Sequence, residues 1–275
     1  MKIDKACRVT IIMSVYNEEK TIERALESII AQTFKKWKLL ICDDGSSDDT
    51  VKIINRYTKL FPSKIILIRN RTNRGLTYSL NRMVKICKTE YIARMDADDI
   101  SHKDRLEKEV EFLDSNHIFA FVGSSINKFD DNGLKWYVEY PEFPTKKMLV
   151  KCNPFVHPSI IIRTNILGKV NAYRNSITTA RCEDYDLWFR LYERGYCGYN
   201  FREPLVDYYE GSLAFAKRKL KYRISEMCTR AVGYKRNDLY PMAFPYVFKP
   251  LIAGMVPKKV VIWYKKRQRI LGDSL

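Results

Sequence analysis

Three carboxylates fall within four residues at Asp96-Ala-Asp-Asp99, directly after the short apolar run 91–95. That run has the length and composition of a buried strand, so the acids stand at its carboxyl end, the edge where open α/β sheets bind ligands. Ala97 lets backbone and side chain come close to a ligand, and its flanking carboxylates suit a hard divalent cation carrying phosphate oxygens. The same residues also suit a solvated acidic turn capping a helix that begins near His102. Context has to decide, and two further acidic pairs supply it: Asp43-Asp44 after a second apolar run, and Glu183-Asp184 at the start of an amphipathic stretch.

The elements that must position these groups are legible from periodicity. Residues 8–15 read as a first buried strand, with Asn17 a candidate N-cap for the next helix. Ile22, Ala25, Leu26, Ile29 and Ile30 recur at helical spacing, giving one face that covers a sheet. Residues 37–42 form a second strand and deliver Asp43-Asp-Gly-Ser-Ser-Asp48 to the same edge. After a further helix, strand 64–68 leads into Asn70-Arg-Thr-Asn-Arg-Gly75, and Leu76, Leu80, Met83, Val84 and Cys87 mark another covering helix. The pattern to residue 115 is βαβαβαβα, which predicts a parallel sheet with right-handed crossovers and three polar loops on one edge. Beyond it, Leu106, Val110 and Leu113 mark a helix from 103, and 120–124 and 135–140 read as strands. The segment 141–152 shows no clear periodicity. Asn153-Pro-Phe-Val-His-Pro-Ser159 precedes the apolar run 160–162, and Leu187, Trp188 and Leu191 give the helix opened by Glu183-Asp184 its apolar face.

Composition bounds the rest. The chain has 275 residues, 46% of them hydrophobic, enough for one large domain or a domain with an appendage. Seven cysteines without C-x-x-C spacing argue against a disulfide framework or a zinc site and fit a reducing cytoplasm. The amino terminus lacks the pattern of a signal peptide, and no apolar run reaches the roughly 18 residues of a membrane span. The expectation is a protein neither exported nor integral to the membrane. The formal net charge of +17 is concentrated beyond Leu213, which predicts a nearly balanced body carrying a basic extension.

The run Val9-Thr-Ile-Ile-Met-Ser-Val-Tyr-Asn-Glu-Glu19, with Asp43-Asp-Gly-Ser-Ser-Asp48, Asn73-Arg-Gly75, Asp96-Ala-Asp-Asp99 and Glu183-Asp-Tyr-Asp-Leu-Trp188, resembles the family 2 glycosyltransferases. Five motifs in order, spanning about residues 8–212, carry the resemblance, which is closest to bacterial enzymes of surface polysaccharide assembly (capsule, exopolysaccharide or lipopolysaccharide). It implies the inverting GT-A fold: a mostly parallel α/β sheet flanked by helices, with residues 1–212 catalytic, 8–115 nucleotide-binding and 116–212 acceptor-binding. It implies a nucleotide pocket with Ser14, Tyr16 and Glu18, Asp44 pairing with the imide of the base, and Asn73 and Arg74 near the phosphates. Tyr16 can stack on a pyrimidine and a carboxylate can accept from a ring N–H; as plain rim and turn residues, Tyr16, Asp43 and Asp44 need no ligand. Asp96 is expected on the ribose or metal, Asp98 on the Mn²⁺ or Mg²⁺ ion, and Asp99 at the periphery. A cation there offsets charge developing on the departing nucleoside diphosphate. His157 falls on the acceptor side, where a His before Pro also suits a fixed loop position. Asp184 is implied as the general base and Glu183 as an acceptor-positioning group, although acids in a first helical turn are also simple dipole partners.

Two departures from the family pattern stand out. The usual Arg-x-His after the last strand is replaced by Tyr209-Glu-Gly-Ser212, and no His follows His157, which leaves Glu210 or water as the third metal ligand. The Q-x-x-R-W motif of processive synthases is absent too, so one sugar per acceptor is expected. The extension 213–275 mixes Lys and Arg with Phe244, Tyr246, Phe248, Trp263 and Tyr264. That mixture suits peripheral contact with the inner face of the cell membrane, near a lipid-linked acceptor, or a solvated helical cap on the catalytic domain. No nucleic-acid-binding motif accompanies the charge. The expected reaction moves a sugar from a nucleotide-sugar donor, UDP-linked, to a saccharide or lipid-linked saccharide acceptor. The alternatives are a catalytically silent nucleotide-binding module and a nucleotidyltransferase, though Ser14 to Glu19 holds no Gly for a triphosphate loop.

Overall fold

β1 (Val9–Val15), β2 (Trp37–Asp43), β3 (Ile65–Arg69) and β4 (Tyr91–Arg94) form the parallel half of one sheet, joined by α1 (Ile22–Ile30), α2 (Thr50–Leu60) and α3 (Leu76–Ile86). The runs of β1, β2 and β4 are buried on both faces, as central parallel strands require, while the edge strand β3 is half-buried. The computed structural model describes residues 7–211 and 219–255. The remaining elements are β5 (Ile100–Ser101), α4 (Arg105–Ser115), β6 (Phe119–Phe129), β7 (Lys135–Val138), β8 (Ile161–Arg163), α5 (Thr164–Lys169), α6 (Glu183–Glu193), β9 (Cys197–Tyr209), α7 (Leu220–Arg236), α8 (Phe244–Val247) and α9 (Lys249–Met255).

The strand order is β3-β2-β1-β4-β8-β6-β9-β5, with β7 on β6. The expected parallel half is present; β8 then joins β4 antiparallel, and β6 pairs with β8 antiparallel and with β9 parallel. β6 and β9 run longer than their apolar cores predict. Residues such as Arg202 and Glu203 carry no strand pattern, and pairing with β6 across register shifts near Ser125 holds this stretch extended. Alternate residues feed two cores. Ile12, Leu40 and Ile92 meet Leu80 of α3 and Trp188 of α6 on one side, and Ile11, Leu39 and Ala93 meet Leu26 of α1 and Val110 of α4 on the other.

Two expectations need revision. Asn17 does not cap α1: it sits at φ 56°, its side-chain oxygen accepts from the Ser47 N–H at 2.9 Å, and the helix starts after Thr21. The tie to the β2–α2 loop outweighs local capping. The basic extension, in its described part, is no appendage. Tyr234, Leu239, Ala243 and Val247 enter the same core as Trp188. The Asn237 amide donates to the Phe189 carbonyl at 3.1 Å, and the Tyr234 hydroxyl to the Val150 carbonyl at 2.8 Å. Trp263, Tyr264 and the basic run 258–269 lie outside the described residues.

Candidate active site

The Asp96-Ala-Asp-Asp99 loop leaves β4 at the carboxyl edge and is pinned on several sides. The Arg24 guanidinium, held over the Phe129 ring at 4.8 Å, donates to the Asp98 carbonyl at 2.7 Å. The Tyr209 N–H donates to Asp99 Oδ1 at 2.8 Å, and β5 locks the outgoing chain onto β9 with Ile100 opposite Asp207. Behind the loop, the buried Arg105 donates to the Arg94 carbonyl at 3.0 Å and to Glu109 at 3.1 Å.

Ligand-capable oxygens of Asp96, Asp98 and Asp99 lie within 4.8 Å of one another, the one such group of three among the described residues. Asp99, expected at the periphery, is the innermost of them, with no solvent exposure and an Oδ2 that has no hydrogen-bond partner. Burial, and then the Asp98 and Asp96 charges, push its pKa well above the ordinary carboxylate range. Oxygen donors, an orphaned buried oxygen and crowded like charge are the features a hard divalent cation satisfies. Glu210 is not one of this group but lines the same cleft as Asp96, 3.4 Å from the Lys128 ammonium.

Arg94 was read only as part of a strand, yet it is the cationic centre of the site. It is 2% exposed, ion-paired with Asp96, and leaves its Nε buried without a partner. A charge inside an otherwise apolar run was the signal available in the sequence. A cleft of about 500 Å³ brings Arg94 and Asp96 together with His157, Glu183 and Asp184. Trp188, stacked on Phe121 at 5.0 Å, fixes α6 against β6 and so aims its first turn into this cleft. The Asn153 amide donates to Asp184 Oδ2 at 2.8 Å and the Tyr185 N–H to Oδ1 at 2.7 Å. Burial raises the pKa of both acids at this helix start, Glu183 to about 7 with the Asp184 charge as the second cause. His157 is buried, its Nε2 2.9 Å from the Tyr173 hydroxyl; burial and then Arg94 hold it well below its usual pKa, so it is neutral.

The nucleotide-side residues lie along the sheet edge rather than in that cleft. Ser14 is half-buried at the end of β1, Tyr16 is 46% exposed, and Glu18 accepts from the Thr21 hydroxyl at 2.9 Å. Asp44 is nearly enclosed, and its carboxylate accepts from the Asn70 amide at 2.7 Å, the Arg74 N–H at 2.9 Å and the Gly75 N–H at 2.7 Å. These bonds hold the Asn73-Arg-Gly turn in place. Gly45, at φ 85°, permits the approach, since a Cβ there would stand 3.0 Å from the Thr72 carbonyl carbon. Asn73 and Arg74 are exposed, with the Arg74 guanidinium 4.7 Å from the Tyr78 ring centre.

The sequence profile described as glycosyl transferase family 2 matches residues 10–176 of this chain. The chain belongs to that family. EpsE of Bacillus subtilis (strain 168) is 36% identical over 261 residues, 95% of this chain and 94% of EpsE. WfaP of Escherichia coli, named a UDP-Glc:alpha-D-GlcNAc-diphosphoundecaprenol beta-1,3-glucosyltransferase, is 31% identical over 248 residues, 89% of this chain and 94% of WfaP. The Staphylococcus aureus TarS 1-349 crystal structure in complex with UDP superposes with a TM-score of 0.67 at 19% identity, covering 89% of this chain and 70% of TarS 1-349. The glycosyltransferase fold is therefore GT-A, with the Asp96 loop at the carboxyl edge of its parallel half.

Three contributors to this site were missed from sequence. Arg94 is one, and Asn153, which holds Asp184, is the second. The third is α7, whose Tyr222, Arg223 and Glu226 line the cleft. A Lys- and Arg-rich helix reads as a solvated face, so sequence offered no signal for it.

Proposed function

We propose that this glycosyltransferase is a metal-dependent, inverting, non-processive enzyme. It moves a sugar from a UDP-linked donor to a saccharide or lipid-linked saccharide in bacterial surface polysaccharide assembly. One observation carries the reading: a single cleft holds both Asp96, one of the Asp96–Asp98–Asp99 group fit for a cation, and Asp184, a helix-borne carboxylate held by two donors. The names of WfaP and of the TarS complex support uridine nucleotides and a lipid-linked acceptor.

Ser14, Tyr16 and Glu18 take the nucleoside, and the turn held by Asp44 presents Asn73 and Arg74 to the diphosphate. Asp96, Asp98 and Asp99 would hold Mn²⁺ or Mg²⁺, which would supply positive charge to the leaving diphosphate. Arg94 places a fixed buried cation beside them. Asp184 takes the proton from the acceptor hydroxyl as that oxygen bonds to the anomeric carbon, and the carbon's bond to the nucleoside diphosphate breaks on the opposite face, inverting the centre. Glu183 orients the acceptor, and neutral His157 is a wall of the cleft rather than a base.

No helix among the described residues is long and apolar enough to cross a membrane. Peripheral contact with the cytoplasmic membrane face is supported by the exposed Met242, Phe244, Phe248 and Ile252 on the extension. Unchanged liposome binding after deletion of 241–275 would remove this part. The central test is calorimetric binding of UDP, dTDP, GDP and CMP with and without Mn²⁺, on the native protein and Asp98→Asn. The expected result is metal-dependent selection of UDP that is lost in the variant; nucleotide binding indifferent to metal and to the substitution overturns the donor-site assignment.

A further inference from the structure

The cleft has lining residues that the donor does not account for. Besides Glu183 and Asp184 its wall includes Arg181, from the loop before α6, and Tyr222 and Arg223 from α7. The Arg181 guanidinium lies 5.8 Å from the Tyr222 ring centre, and its backbone is held at φ 65°, a conformation uncommon for a residue with a side chain. Arg223 is mostly buried, its Nε has no hydrogen-bond partner, and its nearest carboxylate, Glu226, is at 4.0 Å, beyond hydrogen-bond reach. Glu226 instead gives its close contacts to Arg230, at 2.9 and 3.0 Å. No carboxylate among the described residues forms an ion pair with Arg181. The α7 backbone that carries Arg223 is anchored: the Thr229 hydroxyl donates to the Thr178 carbonyl at 3.0 Å, and Arg230 to the Val150 carbonyl at 3.1 Å.

Two guanidiniums brought to one wall, one of them mostly buried with donor capacity unspent, are arranged for an anion. The donor diphosphate has other cations in the cleft, Arg94 and Lys128, which stand with Asp96 and Glu210. Arg181 is three residues from Asp184, so an anion held there sits next to the hydroxyl that Asp184 deprotonates. We infer that Arg181 and Arg223, with Tyr222 as a flat wall, form a phosphate subsite for the acceptor, which therefore carries a phosphate or diphosphate on the sugar to be extended. This deepens the reading of Asp184 as the base and rests on it.

The test fills the donor side first. Native protein saturated with UDP and Mg²⁺ is titrated with farnesyl diphosphate and, separately, glucose 1-phosphate, then Arg181→Gln/Arg223→Gln and the milder Arg223→Lys are titrated in the same way. The expected result is binding of at least one probe to the native protein and a loss of about ten-fold or more in the double variant, with the UDP affinity unchanged. UDP binding also reports that each variant is folded. Preference for farnesyl diphosphate assigns the anion to a lipid carrier, and preference for glucose 1-phosphate to a soluble sugar phosphate; both support the subsite. Binding of neither probe by UDP-loaded protein, or equal affinity in the double variant, overturns it. Should UDP itself fail to bind with metal, the fault lies with the donor reading and shows before either probe is added; the same two probes are then titrated without UDP, and an unchanged affinity in the double variant overturns the subsite there too.

Discussion

Asp184→Asn separates a chemical role from a structural one, because the two costs are of different size. The carboxylate accepts from the Asn153 amide at 2.8 Å and from the Tyr185 N–H at 2.7 Å. In the variant the new carbonyl can keep Tyr185, which leaves the new NH₂ facing the Asn153 NH₂. Asn153 can turn its own oxygen toward it only by giving up the Phe155 N–H, which it now accepts at 3.2 Å. One hydrogen bond is lost either way, about 1 kcal/mol of stability. Loss of a general base costs about 10²- to 10⁴-fold in rate, roughly 3–5.5 kcal/mol of barrier. The assay is initial-rate UDP release with donor and acceptor, alongside UDP affinity and thermal denaturation. The expected outcome is a kcat reduced by at least 100-fold, an unchanged UDP affinity and a small drop in Tm. A variant keeping more than about a tenth of native kcat refutes the assignment, and if Glu183→Gln then shows the large loss, the base is Glu183.

Other consequences are open to measurement. Burial raises both Glu183, to about 7, and Asp184, so Glu183 holds its proton below neutrality and the acid limb of kcat/KM, set by Asp184 as the base, is expected above the ordinary carboxylate range and to persist in Glu183→Gln; a limb at the ordinary carboxylate value contradicts the burial argument. The sign for stability is opposite: acids with raised folded-state pKa favour the fold most at low pH, and that contribution fades as pH rises through about 7. Arg94→Met strands Asp96 and the buried Asp99 without their cation; chemical denaturation is expected to show a loss of about 3 kcal/mol, and an unchanged stability contradicts the charge argument. Gly233→Ala should destabilise by about 1–3 kcal/mol although Ala is the better helix former by about 1 kcal/mol, because a Cβ there stands 2.3 Å from the Phe189 ring; a raised Tm would mean α7 does not pack this closely on α6.

What the sequence determined by itself is the half of the molecule built from local signals. Period-2 and period-3.6 patterns in residues 8–115 describe strands and helices whose crossover hand and parallel pairing follow from general rules, so the acids of Asp96-Ala-Asp-Asp99 could be put at a carboxyl edge before any coordinates existed. The order of motifs did the same for Asp184. Tertiary structure decided what depends on partners distant in the chain. β9 is extended over residues 197–203 because β6, about 80 positions earlier, pairs with it. Asn17 serves the loop after β2 instead of its own helix, and Asp44 spends its lone pairs on the Asn70 to Gly75 turn. Arg94 becomes the centre of a site only when α6 brings Asp184 across from it, and α7 becomes a wall of the cleft only because Gly233 lets it lie flat on Phe189. Periodicity reports which face of an element is buried; it carries no information on which element buries it, and in this protein that pairing decides how much of the basic extension is catalytic wall and how much is surface.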